Sequence, residues 1–217
     1  MCKMIPAAFA VLLLVAMPVA AHADSREAAR NAAATNESNA VIGTPAPNFE
    51  ATDSTGKTHK LSDLRGRIVV LEWTNDMCPY VHKFYDSGTM QKLQQDAVAK
   101  GIIWLSVVSS AKGKEGFTNA EDANRDINKF KSHETGRLLD PTGALGHLYS
   151  ASSTPHMFVI DKNGTLAYAG AMDDQPSVSP STLKDAKNYV TAAIDDLMAG
   201  RPVAISTSKP YGCSVKY

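Results

Sequence analysis

Cysteine is scarce in this chain. The 217 residues contain three, at positions 2, 78 and 213. Charge of either sign is not in excess: Lys plus Arg and Asp plus Glu each number 22. That balance gives no electrostatic reason for a nucleic acid or an anionic membrane surface as partner. A long apolar run is also missing. The N-terminal run Ala7 to Val19 is too short, and wrongly flanked, for a stable membrane span. No internal repeat is visible, and the only compositionally biased stretch is a polar one near the N-terminus. These absences leave one ordinary domain with very few thiols.

What is present begins with a targeting segment. Lys3 supplies a positive start, Ala7 to Val19 an apolar core, and Ala21-His22-Ala23 a small-x-small cleavage site. Residues 1–23 are therefore read as a signal peptide, and the mature chain is expected to start at Asp24. Cys2 lies inside the signal, too near the start to follow a lipoprotein-type apolar stretch. The remaining 194 residues suit a single domain with a sizeable core. Loss of Lys3 leaves a formal charge of −1. Export to a periplasm or an equivalent compartment puts Cys78 and Cys213 where a disulfide can persist. The pair is then a structural bridge, a catalytic couple, or two unpaired thiols.

Residues 24–40 read as a flexible polar arm, 41–200 as the domain, and 201–217 as an irregular tail carrying Cys213. Phe49 to Leu61 reads as a hairpin around Asp53-Ser54-Thr55-Gly56-Lys57. Ser62 to Gly66 is a short helical turn. Ile68 to Trp73 and Ile102 to Val108 are continuous apolar strands, as in a sheet covered on both faces. Between them the pattern predicts one helix from about Pro79 to Lys100, stopped by Gly101. Ala111 to Thr118 is loop, Asn119 to His133 a polar helix, and Leu138-Leu139 a short extended piece. Thr142 to Tyr149 reads as one or two helical turns. Met157 to Ile160 and Thr165 to Gly170 are antiparallel strands across the Asn-Gly turn at 161–164. Ser181 to Ala199 reads as a closing helix with Val190, Ala193, Ile194 and Leu197 on one face. This order makes a mixed sheet flanked by helices.

Cys78 is the most informative residue. It follows the strand Ile68 to Trp73 and directly precedes Pro79, a residue suited to the first turn of a helix. A thiol at a helix N-terminus meets unpaired amides and the positive end of the helix dipole, which favour the thiolate. A buried structural cysteine is the plainer alternative.

Four features in order resemble the thioredoxin-like superfamily, and within it the exported peroxiredoxin-like (AhpC/TSA) redoxins. They are Gly43-Thr44-Pro45-Ala46-Pro47-Asn48-Phe49, the apolar strand leading to Cys78-Pro79, Ser153-Thr154-Pro155 before a strand, and the ending Gly212-Cys213-Ser214-Val215-Lys216-Tyr217. With Asn75-x-x-Cys78-Pro79-Tyr80-Val81, that ending resembles an exported subgroup. The resemblance covers about 42–217. It implies an α/β thioredoxin-like fold: a central mixed sheet flanked by helices, with an N-terminal hairpin and an irregular C-terminal tail. It further implies thiol oxidoreductase or antioxidant activity without a cofactor. The implied partners are a small peroxide or a protein thiol/disulfide, together with an exported thiol reductant.

Carried over residue by residue, Cys78 is the nucleophile, and Thr154 with a cis Pro155 is the substrate-facing loop beside Pro79. Glu72, six residues before Cys78, matches a buried proton-moving acid. A buried carboxylate with a raised pKa can accept a proton near neutrality. The alternative is a Glu on the solvent side of an edge strand, or one held by Lys162 or Arg67. Two departures matter. Val81 stands where thioredoxins carry the second cysteine of CxxC. Asn75 stands where peroxiredoxins carry a threonine, and Leu71 where they carry a proline. Asn75 becomes a candidate polar contact, with Thr74 adjacent, and peroxide and protein-disulfide chemistry both stay open.

Cys213 can replace the missing CxxC partner. The eleven steps from Pro202 span about 36 Å when extended, against a radius of gyration of about 16 Å. It would then resolve an oxidised Cys78. A static bridge, or two cysteines that never meet, are the alternatives. His82 lies four residues after Cys78, so Cys78, His82 and Cys213 form a possible Cu(I) or Zn set. His133, His147 and His156 have no ligand spacing and read as structural or exposed, and Trp73, Tyr80 and Tyr85 as core.

Overall fold

The computed structural model describes residues 40–217 and Met1. The expected signal peptide, and the polar arm up to its last residue, lie outside the described residues. The hairpin forms as expected: β1 (Glu50–Thr52) pairs antiparallel with β2 (Thr58–Lys60), and a 3-10 turn covers Leu61–Leu64.

Five strands make the central sheet: β3 (Val69–Trp73), β4 (Ile103–Val108), β5 (Gly136–Leu139), β7 (His156–Ile160) and β8 (Leu166–Gly170), in the order β5-β4-β3-β7-β8. β3 runs parallel to β4, and β4 parallel to β5. β7 is antiparallel to both β3 and β8, so the sheet is mixed. Every residue of β3, β4 and β7 is buried. Their mostly apolar, non-alternating sequences follow from that double coverage, since alternation is needed only where one face meets water.

Val70 and Trp104 face a core built with α1 (Pro79–Asp86), α2 (Thr89–Ala99) and α5 (Tyr189–Met198). Val69, Leu71 and Trp73 face a second core closed by Phe49, Leu61 and α4 (Ala144–Leu148). α3 (Ala120–Phe130) is capped by Asn119, whose side chain accepts from the Asp122 amide. Trp73 and Tyr85 are buried and Tyr80 half-buried, as the sequence predicts.

Three expectations need correction. The helix from Pro79 to Lys100 is two helices, because Gly88 takes φ +77 and ends the first after Ser87. Glycine adopts that left-handed conformation without a Cβ penalty. The closing helix starts at Tyr189 rather than Ser181; Asn188 caps it by accepting from the Thr191 amide, and Pro180–Asp185 form a separate 3-10 turn. The tail is not wholly irregular. Its β9 (Cys213–Ser214) pairs antiparallel with β6 (Ser153–Thr154), with Thr154 opposite Cys213 and Ser153 opposite Ser214.

Candidate active site

Cys78 sits at the N-cap of α1, with Pro79 as the first helical residue. Its own carbonyl accepts from the Val81 and His82 amides at 3.0 Å each, which starts the helix. Asn75 shapes the turn before it. The Asn75 carbonyl accepts from the Cys78 amide at 2.9 Å, and its Oδ1 accepts from the Met77 amide at 2.8 Å. The Asn75 amide group is thus engaged in the loop that presents Cys78, and its Nδ2 reaches toward the Glu115 carbonyl at 3.4 Å.

Cys78 is fully buried and joined to Cys213 by a disulfide, with Cα atoms 6.0 Å apart. The alternative in which the two never meet is overturned. The Thr154–Pro155 peptide is cis, as the resemblance implies. The Thr154 carbonyl oxygen lies 3.1 Å from Cys78 Sγ, where it can accept from the thiol once the bridge is reduced. Thr154, Pro155, Pro79, Cys78 and Cys213 therefore meet in one place. Gly212 takes φ +144, and a Cβ there would collide with the Thr154 carbonyl. Only glycine lets the tail approach the cis-proline loop this closely.

His82 is engaged elsewhere. Its Nε2–H donates to the Asp76 carbonyl at 2.9 Å, its Nδ1 faces the Asp86 carboxylate at 3.2 Å, and its ring meets Phe130 edge-on. Among the described residues, no group of three His, Cys, Asp or Glu side chains is placed to hold a metal ion. The alternative Cys78, His82 and Cys213 set is not assembled, because the sulfurs bond to each other and the imidazole is held by Asp76 and Asp86.

Glu72 is fully buried in β3, and neither Lys162 nor Arg67 holds it. Tyr85 Oη donates to its Oε1 at 2.9 Å, and Trp104 Nε1 and Gln94 Nε2 donate to its Oε2 at 2.7 and 3.2 Å. Burial, and then the nearby Glu134 carboxylate, push its pKa up to about 7 against the pull of these donors. Ser106 Oγ lies 3.3 Å from Glu72 Oε2 and 2.8 Å from Glu134 Oε2, and has one proton for two carboxyl groups. Glu134 then accepts from Arg137 Nε at 2.8 Å, and Arg137 Nη1 donates to Asp76 at 2.8 Å. A continuous polar chain thus leads from Glu72 to a residue two before Cys78. Burial also raises the Asp76 carboxyl above its ordinary range.

Sequence reasoning missed the rest of this chain: Asp76, Tyr85 as a donor, Gln94, Trp104, Ser106, Glu134 and Arg137. Asp76 lies in the loop before α1, but the others come from α1, α2, β4, β5 and the segment before β5, so no local pattern joins them. It also missed Lys83 and Asp173, a fully buried pair at 3.0 Å. A lysine inside the amphipathic α1 looks like a surface residue until its partner, 90 residues away, is placed.

The profile of the AhpC/TSA family matches residues 42–169. The chain belongs to the AhpC/TSA family. This AhpC/TSA protein is 29% identical over 137 residues to thiol-disulfide oxidoreductase ResA of Geobacillus kaustophilus (strain HTA426), covering 60% of this chain and 69% of that one. Among solved structures, a hypothetical protein from Sinorhizobium meliloti 1021 superposes with a TM-score of 0.69 at 20% identity, over 83% of this chain and 96% of that one. A putative thioredoxin from Neisseria meningitidis does so with a TM-score of 0.52 at 18% identity, over 72% and 94%. At these identities the likeness is one of fold, and the fold is thioredoxin-like.

Proposed function

We propose that this AhpC/TSA protein is an exported thiol-disulfide oxidoreductase that cycles Cys78 and Cys213 between disulfide and dithiol. One observation carries the reading: the disulfide joins a helix N-terminal cysteine to a tail strand paired with the cis-proline loop. The name of the ResA relative supports the same chemistry. Cys213 is only half-buried, whereas Cys78 is fully buried, so a reducing thiolate reaches Cys213 first. Its attack forms a mixed disulfide at Cys213 and expels Cys78 as a thiolate, which the N-terminus of α1 stabilises. A second thiolate frees Cys213, and the two reductant thiols leave as their disulfide.

In the oxidising half, the Cys78 thiolate attacks one sulfur of a protein disulfide and expels the other as a thiolate. Cys213 then displaces the bound partner and closes the bridge. Glu72 holds a proton near neutrality on the same sheet, and Asn75 and Pro79 fix the nucleophile. Export rests on the leader-like residues 1–23.

Turnover of a protein disulfide by the mature protein tests the reading. It is expected to disappear in Cys78→Ser, while Cys213→Ser accumulates the mixed disulfide at Cys78; full turnover by Cys78→Ser would overturn the reading. The mass of the exported chain is expected to start at Asp24, and a chain retaining residues 1–23 would remove the cleaved leader. A second reading, reduction of a small peroxide, is favoured by the Thr74 and Thr154 hydroxyls. Both are buried without a hydrogen-bond partner, on the two segments that flank Cys78 in sequence and in space. Peroxide consumption lost in Thr74→Val at unchanged disulfide turnover would support it.

A further inference from the structure

The tail is held on both sides of Cys213 by contacts other than the disulfide. After it, Lys216 accepts from the Ala111 amide at 2.8 Å, Tyr217 Oη donates to the Ala151 carbonyl at 2.7 Å, and the Tyr217 ring stacks on His147 with centroids 4.0 Å apart. Before it, Tyr211 reaches into the protein and its hydroxyl donates to the Asp173 carboxylate. That carboxylate is paired with Lys83 Nζ at 3.0 Å, and both side chains are essentially without exposure. Lys83 Nζ completes its shell with the Gln175 carbonyl at 2.7 Å and the Tyr211 oxygen at 3.3 Å. The Tyr211 ring also meets Tyr80 edge-on, with centroids 5.8 Å apart.

Tyr80 and Lys83 belong to α1, the helix whose N-cap is Cys78. The cluster therefore ties residue 211 to the same rigid element that carries the other sulfur. A buried ion pair contributes little net stability by itself, but its geometry is strict, because loss of either partner leaves a bare charge. Tyr211 is the tail's contact to that pair.

We propose that Tyr211, seated on the Lys83–Asp173 pair, is a positioning residue that keeps Cys213 in register opposite Cys78 when the bridge is reduced. The inference rests on the two-cysteine cycle proposed above and says how its closing step is made fast. Without an anchor, a reduced tail is a loosely held segment, and the local concentration of its thiol falls with the volume it explores. With residues 211 and 217 both fixed, Cys213 stays paired with Thr154 and the closing attack is intramolecular between placed groups.

The experiment equilibrates the protein with glutathione, in which two glutathione thiols reduce the bridge and leave as oxidised glutathione. The constant for bridge formation in the native protein is compared with that in Tyr211→Phe, which keeps the ring and leaves Lys83 and Asp173 paired. Loss of a hydrogen bond to a charged group is expected to lower the constant about tenfold. A fall smaller than about threefold overturns the proposal.

A merely structural role is separated by Ile103→Ala, a core truncation in β4. It is expected to lower thermal stability and leave the bridge constant unchanged; an equal fall in both variants overturns the proposal. Amide exchange in Cys78→Ser gives a readout independent of any bridge. The Val215 amide, which donates to the Ser152 carbonyl at 3.3 Å, is expected to stay protected there and to lose protection when Tyr211→Phe is added. Protection that survives Tyr211→Phe overturns the anchor. Turnover enters neither measurement, so an enzyme found inactive with an intact anchor would sink the proposed function alone.

Discussion

The two sulfurs of the single bridge reach the same point by opposite routes. Cys78 is placed by its immediate neighbours: a buried strand, the Asn75 turn, Pro79 and the first turn of α1, all within ten residues. Cys213 is placed by segments distant in sequence: Thr154 lies 59 residues upstream, Ala111 102 and Lys83 130. The first half is local and rigid. The second is a segment that docks on a two-residue edge and on a few side-chain anchors. Cys78 takes its place from the rigid strand and helix terminus beside it, whereas Cys213 takes its place only from the contacts its segment makes on docking.

The strongest way to break this comparison is to remove each sulfur in turn. Cys78→Ser is expected to abolish turnover, whereas Cys213→Ser leaves the first attack intact and traps the covalent intermediate, read by mass under non-reducing conditions. Equal loss in both variants without a trapped species would erase the distinction. Either variant also removes a bridge spanning 135 residues, which is expected to lower unfolding free energy by about 4–5 kcal/mol in the loop-entropy account.

A titratable group on each of two neighbouring strands, paired as Glu72 with Met157 and Trp73 with His156, sharpens the comparison by pH. Glu72 in β3 has its pKa raised to about 7, mainly by burial. His156, following Pro155 in β7, has its pKa lowered to about 4 by burial. Glu72 favours the folded state below its unfolded value near 4.5, and this contribution is lost as pH rises toward 7. His156 is buried neutral, so its contribution is present above 6.5 and lost as pH falls toward 4. Each amounts to about 3 kcal/mol at most, and the two slopes oppose each other in the native protein. Urea unfolding from pH 4 to 7.5 is expected to show stability rising with pH in Glu72→Gln and falling with pH in His156→Phe. Identical profiles in both variants would refute the assignment.

Smaller effects test the two routes to the site. Gly212→Ala forces a side chain into a left-handed conformation against the Thr154 carbonyl. It is expected to cost about 1–3 kcal/mol of tail docking, measured as a weaker bridge at unchanged Cys78 alkylation in the reduced protein. Asn75→Ala removes the acceptor of the Met77 amide and is expected to cost about 1 kcal/mol. It should alter the rate of Cys78 alkylation while the bridge constant moves little. If the two variants exchanged their effects, the local and distant halves would be wrongly drawn.

Much of the first half was legible in the chain. β3, the Cys78-Pro79 helix start and the Asn-Gly hairpin carry local signals, the cis-proline loop follows from the resemblance, and the structure places each as read. The errors fell where a short-range signal was overlooked: Ser87-Gly88 breaks a helix, and Asn188 begins one late. The second half was legible only as reach. The sequence allowed Cys213 to arrive, without saying that β9 would pair with β6 or that Tyr211 would meet Asp173. Glu72 could be read as buried or as surface, and its partners Trp104, Gln94 and Tyr85 are invisible from spacing because they approach from β4, α2 and α1.

By itself, then, the sequence determined the order of elements, the doubly covered sheet, and a cysteine at a helix N-terminus with no CxxC partner. These depend on apolar patterning, proline and glycine, which act over a few residues. Tertiary structure alone decided which thiol answers Cys78, where the tail lies, and how the carboxyl of Glu72 comes to hold a proton near neutrality. Disulfide pairing, buried ion pairs and desolvation depend on groups brought together from distant parts of the chain, and only the packed fold sets those distances.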